Sequence, residues 1–229
     1  MGTIWGGYMN NIVTFDSEKA VNSYCKKKAI RELGSGSEGT CYLGNDGLAY
    51  KDMSEGFRSE LYIPEDIITT ADYRNKSFFF PHVLFVVGDE LMGYTCDAVT
   101  TNLTNYHYLF DHGIDHINFD KLYKAYEVMY EDAIQLARDG ISIYDLPYNI
   151  VFDGERLIGI DTCGYSRAPV MECLRNPEYV DDAVKRLFTD YAEYVHGDKL
   201  DLSLEVKEFL DDVQRRYTTG KKGKPYIKQ

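Results

Sequence analysis

Residues 28–53 read KAIRELGSGSEGTCYLGNDGLAYKDM, and the order of apolar runs and glycines in this stretch decides the fold. The runs KAIREL, TCYLG and LAYKDM are strand-like and are separated by GSGSEG and by NDG. Asn45-Asp46-Gly47 is a hairpin turn signal, because glycine tolerates positive φ there. Gly34-Ser35-Gly36-Ser37-Glu38-Gly39 fits the pattern GxGxxG. A dinucleotide fold needs such glycines between a strand and a helix, so that pyrophosphate meets the helix N-terminus. Here they lie between two strands, which excludes that arrangement and instead lets the backbone fold closely over phosphates. Lys51 lies in the third run, where alternation points its ammonium to one face. Its place after the glycines suits contact with the α- and β-phosphates.

Outward from this segment, strands are expected at 82–87 and 90–96, joined by a tight Gly88-Asp89 turn. The apolar period then changes from two to about 3.6. Phe119, Leu122, Tyr126, Met129, Ala133 and Ala137 fall on one face of a long helix ending at Gly140. Short strands at 141–144, 149–152 and 157–161 follow, with Asp153-Gly154 turning between the last two. A second helix spans 177–195, with Val180, Val184, Leu187, Tyr191 and Val195 on its buried stripe, and a third spans 204–217. Strands precede helices, the α+β segregation expected of two unequal lobes. A single domain at 1–229 is expected, with a β-rich N-lobe at about 1–96 and a hinge at 97–100. A reduced helical C-lobe at 101–217 and a basic tail at 218–229 complete it.

Composition narrows the function. The 229 residues are 44% hydrophobic, enough for a sizeable core. A net charge of −12 repels phosphate backbones, so neither nucleic acid nor an anionic membrane is an expected partner. The first fifteen residues carry no Lys or Arg, unlike a secretory signal. The most apolar stretch, 78–87, is interrupted by Pro81 and His82 and falls short of the ~20 residues of a membrane span. Five widely spaced cysteines form no CxxC pair. A reducing, cytoplasmic compartment is the expectation. The five histidines are scattered, without metal-ligand spacing.

Residues 133–166, AIQLARDGISIYDLPYNIVFDGERLIGIDTCGYS, hold the remaining chemistry. Asn149 and Asp161 lie at the ends of short strands and are hard oxygen donors suited to Mg²⁺ bound with substrate phosphates. Taken singly, each is also an ordinary turn-forming residue. Together with Lys51 and the glycine segment, the ordered set resembles the protein-kinase-like superfamily over 28–166. The resemblance implies a two-lobed fold with ATP and Mg²⁺ in the cleft between lobes. It gives Asp145 the place of the catalytic-loop Asp, Asn149 that of the metal-binding Asn, and Asp161 that of the Asp in the DFG motif. Gly34, Ser35, Gly36 and Gly39 would cover the phosphates, Lys51 would orient them, and the hinge backbone would face adenine.

The chain departs from that pattern in several places. Asp145 and Asn149 are four apart where family members have five, and Ile143 and Tyr144 replace the usual His and Arg. Pro147 replaces the basic residue often found two positions after the Asp, and Thr162-Cys163 replaces Phe-Gly. Fifteen residues separate Asp161 from Pro177, too few for a long activation segment and peptide platform. Glu60 and Glu65 both qualify as the acidic partner of Lys51, with Pro64 limiting any helix across them. The resemblance implies transfer of the γ-phosphate to a hydroxyl of a protein or a small molecule. A small-molecule kinase fits the missing platform, and a pseudokinase without turnover fits the short catalytic loop.

Overall fold

Strands between Ile12 and Asp97 assemble into one six-stranded sheet, and helices dominate the chain thereafter. The chain is therefore α+β. The computed structural model describes residues 12–36, 38–53, 75–100 and 104–218. Ser37, Glu60, Pro64, Glu65 and the tail from 219 onward lie outside the described residues, as do the first eleven positions. Chain contacts define two units. The first comprises 1–74, 79–100 and 161–167, and the second comprises 75–78, 101–160 and 168–229. The division at 100/101 falls at the end of the expected hinge, but Asp97 is still strand. Asp161 and the six residues after it join the first unit rather than the helical one.

In the first unit, β1 (Ile12–Thr14), β2 (Ala29–Gly36), β3 (Gly39–Gly44), β4 (Leu48–Met53), β5 (Val83–Val87) and β6 (Glu90–Asp97) are arranged in the order β1-β5-β6-β4-β3-β2. Only β1 runs parallel to its neighbour, β5. The expected turn at 45–47 joins β3 to β4. Gly47 sits there at φ +82°, while Asp46 accepts from the Leu48 amide at 3.2 Å and the Tyr50 hydroxyl at 2.7 Å. The glycine segment differs from expectation. Rather than a six-residue loop, Gly34, Ser35 and Gly36 are strand residues paired with Cys41, Thr40 and Gly39.

Helix α1 (Glu18–Lys28) was not legible in the sequence. Its composition is strongly polar and it buries only Val21 and Cys25, too few residues to set up a stripe. Capping and charge define it instead: Ser17 accepts from the Ala20 amide, Glu18 opens the helix, and Lys26, Lys27 and Lys28 close it. Val21 and Cys25 pack with Tyr50, Phe85 and Met92 on one face of the sheet. Met53, Leu84, Val86, Leu91 and Tyr94 cluster on the other. Alternation along β4 follows: Asp52 meets the Asn22 amide of α1, and Lys51 shares the opposite face with Met53.

The second unit contains α2 (Tyr106–His112), α3 (Phe119–Arg138), the hairpin β7 (Ile150–Phe152) and β8 (Leu157–Gly159), α4 (Asn176–Tyr191) and α5 (Val206–Tyr217). Helix α3 begins and ends close to where the periodicity predicts. It buries Phe119, Leu122, Met129, Ala133 and Ala137, with Ala125 and Leu136 widening the stripe. Tyr126 lies at its edge, where its hydroxyl donates to Asp181 at 2.8 Å. Helix α4 continues through a π turn over Ala192–His196 and stops at Gly197, whose φ of +71° ends the helical path. The strand expected at 141–144 is extended only over Ile141–Ser142. Among the described residues, no helix is long and apolar enough to cross a membrane.

Candidate functional site

Register in the sheet places Cys41, Lys51 and Tyr94 directly across from one another on β3, β4 and β6, so their side chains share one face. Lys51 is only 9% exposed, and a buried ammonium needs counter-charge. It has two carboxylates. Lys51 Nζ lies 2.5 Å from both Asp161 oxygens and 3.0 Å from Glu38 Oε2, and the Tyr94 hydroxyl donates to Asp161 Oδ1 at 2.8 Å. Asp161 is thus held by both Lys51 and Tyr94. Burial alone would raise its pKa, but the Lys51 ammonium, with the Tyr94 hydroxyl, holds it below the usual carboxylate range. Glu38 moves the other way: burial and the adjoining Asp161 raise it against the pull of Lys51. Burial pushes the Cys41 thiol up to about 11, so it is no nucleophile at neutral pH.

Side chains beyond the ion pairs tie the Asp161 segment into the first unit. Asp161 has φ +60° and ψ +42°, in the left-handed region, and leads into a 3₁₀ turn over Thr162–Gly164. Thr162 Oγ1 donates to the Phe79 carbonyl at 2.8 Å, and Tyr165 meets Phe80 edge to face at 5.8 Å. These contacts hold a conformation that an L-residue adopts at a cost of order 1–3 kcal/mol.

Asp145 and Asn149 belong to the second unit, where they are brought together. Asp145 is exposed at φ +49°, ahead of a 3₁₀ turn over Leu146–Tyr148 that Pro147 suits. Asn149 closes that turn, its amide nitrogen donating to the Asp145 carbonyl at 3.0 Å and its backbone N–H to the Leu146 carbonyl at 2.9 Å. The approach to Asp145 is fixed from below by Asn176. This fully buried side chain accepts from the Ile143 amide at 3.0 Å and donates to the Ile141 carbonyl at 2.8 Å. Among the described residues, Asp145 and Asp161 are the two non-glycine residues at positive φ.

Of the expected site residues, Lys51 and Asp161 are therefore in contact within one unit, and Asp145 and Asn149 within the other. Gly34, Ser35, Gly36 and Gly39 lie in the hairpin whose turn carries Glu38. A Cβ added at Gly34 or Gly36 would meet nothing within 4 Å, whereas one at Gly39 would sit 2.1 Å from the Asp52 carbonyl oxygen. Internal packing therefore requires glycine at 39 but not at 34 or 36. Glu38, Tyr94 and Asn176 were not picked out from sequence. Glu38 was visible inside the glycine motif. Tyr94 needed the strand register, and Asn176 needed the tertiary fold.

Among the described residues, no group of three or more His, Cys, Asp and Glu side chains is gathered to hold a metal ion. Mg²⁺ does not require such a cage, since it commonly uses one or two carboxylates with substrate phosphates and water. Asp161 and the side-chain oxygen of Asn149 are donors of the right hardness for such an ion. No protein-family model matches the chain, and no curated protein matches it in sequence. The functional reading therefore rests on these residues and their geometry.

Proposed function

We propose that this chain is a two-lobed, protein-kinase-like phosphotransferase that binds ATP with Mg²⁺ and transfers the γ-phosphate to a hydroxyl of a protein or small molecule. The observation carrying the proposal is the contact between Lys51 and Asp161. These residues lie 110 positions apart, and each was selected from sequence for a separate role toward the same phosphates. The left-handed backbone at Asp161 and Asp145 adds support, since such conformations persist where surroundings over-determine them and concentrate at functional sites. Glycine at 34 and 36, costly in a strand and unexplained by packing, fits a backbone approached closely by a ligand.

In this reading Lys51 holds the α- and β-phosphates and Asp161 binds the metal. Asn149, with its amide nitrogen committed to Asp145, offers its side-chain oxygen as a further donor. Bound Mg²⁺ would supply charge neutralisation for the phosphates. The chain's residues supply placement: Asp145 orients the acceptor hydroxyl and takes its proton, and the glycine hairpin covers the phosphates. ATP and an unidentified hydroxyl acceptor are the proposed partners, and the cytoplasm the proposed compartment. A pseudokinase is the second reading, favoured by the catalytic loop being one residue short.

The test is calorimetry with ATP, with and without Mg²⁺, beside a γ-labelled ATP assay against candidate proteins and metabolites. Mg²⁺-dependent binding is expected. Lys51→Met should weaken ATP binding at least tenfold while adenosine affinity survives. Equal loss of both ligands would make Lys51 a structural residue, and binding without transfer to any acceptor would favour the pseudokinase.

A further inference from the structure

We propose that Glu38 is a built-in competitor for phosphate: its carboxylate takes a place on the Lys51 ammonium that a nucleotide phosphate needs, so the Glu38 side chain must leave Lys51 before ligand binds. This rests on the nucleotide reading above and adds a residue that sets its affinity and selectivity. Three observations carry it. First, Glu38 lies between β2 and β3 within the glycine motif, with Gly36 and Gly39 near it in sequence, and its carboxylate sits on the Lys51 ammonium at 3.0 Å. Second, Glu38 gives the Lys51 ammonium one oxygen where Asp161 gives two, and the Glu38 side chain is 27% exposed against 17%. Asp161 is anchored by Tyr94 and by the packed 162–165 segment, whereas Glu38 rides on a hairpin tip. Of the two carboxylates, Glu38 is the exchangeable one.

Third, among the described residues two carboxylates already face the Lys51 ammonium, and a phosphate brought to the same nitrogen would add a further anion to a half-buried site. Like charges in such a place repel strongly. The polyphosphate must therefore expel Glu38 or bring its own cation, and the ligand class favoured is a metal-bound di- or triphosphate over a monophosphate.

The experiment uses the full chain and its Glu38→Gln variant, with MgATP, Mg-tripolyphosphate and AMP as probes in calorimetry. Amide hydrogen exchange over 29–44 is followed without ligand. Glu38→Gln keeps the shape and removes the charge. It should bind MgATP and Mg-tripolyphosphate on the order of tenfold more tightly, as expected for losing a competing charge-assisted hydrogen bond. It should narrow the preference over AMP and exchange its hairpin amides faster. Glu38→Asp, which withdraws the carboxylate by one methylene, should show part of the gain and serves if the first variant folds poorly. If the wild type binds MgATP and neither variant gains affinity, the competitor role is overturned while the nucleotide reading stands. If no form binds any of the three probes, the nucleotide reading fails and this proposal with it.

Discussion

Asp145 is exposed and its backbone is left-handed, so its two roles can be separated by substitution. At φ +49° a side chain with a Cβ is strained and glycine is not. Asp145→Gly should therefore be more stable than Asp145→Ala by about 1 kcal/mol, measured by denaturant unfolding. Equal stability would mean that the left-handed turn relaxes in solution. Asp145→Asn, which tolerates the same conformation, should leave folding and ATP affinity nearly intact but cut turnover about 10²–10⁴-fold if the carboxylate is the base. An undiminished rate would assign acceptor positioning to another group. At this scale the sequence was informative where chemistry is carried by residue type and order, as with Lys51, Asp145, Asn149 and Asp161. It was silent on Tyr94, because a tyrosine in a strand looks like core until strand pairing sets it beside Lys51.

Individual elements are stabilised by polar groups that the hydrophobic pattern does not report. Asn176 begins α4 as a wholly buried amide satisfying two backbone groups of the segment that leads to Asp145. Asn176→Ala leaves the Ile143 amide and the Ile141 carbonyl unpaired, and should cost about 2–4 kcal/mol in urea unfolding. Asn176→Asp keeps the acceptor for Ile143 and should restore part of that loss only in acid, where its carboxyl can donate to Ile141. The β7–β8 turn gives a pH signature. Burial opposes ionisation of Asp153, but bonds from the Glu155 and Arg156 amides and the Arg156 guanidinium hold its pKa below the ordinary 3.8. A depressed folded pKa stabilises above the unfolded value and is lost as pH falls through the folded one. Asp153→Asn should therefore melt a few degrees lower than wild type at pH 7, for about 1 kcal/mol after allowing for the half-exposed Arg156. The gap should close below pH 3.8. A gap that persists at pH 2 would trace the effect to shape rather than charge. The long helices were legible because burial on one face imposes a period. Helix α1 was not, since two buried side chains in eleven residues impose none.

At the scale of the molecule, the order of strands and helices was readable because the change of period divides the sequence. The membership of the 161–167 segment was not. It lies beyond the long helix in the chain, yet it packs with the sheet that begins at Ile12, through the Lys51 ion pair, the Thr162 bond to Phe79 and the contact of Tyr165 with Phe80. Only spatial neighbours of a buried ammonium could assign it there. A fragment ending at residue 100 should consequently be poorly folded. Its Lys51 would lack the Asp161 carboxylate, and loss of a buried partner typically costs 3–5 kcal/mol. A well-dispersed NMR spectrum from that fragment would show that the sheet closes without the later segment.

The same interleaving has a consequence during synthesis. Although the sheet strands are translated first, the chain must be made past Arg167 and clear the ribosomal exit tunnel before the last piece of their own unit arrives. Until then Lys51 has no Asp161 beside it, the Phe79 carbonyl lacks its bond from Thr162, and the Phe80 ring lacks its contact with Tyr165. The N-terminal sheet thus waits for a segment made after α3, so the first unit is not completed in the order in which its strands are made.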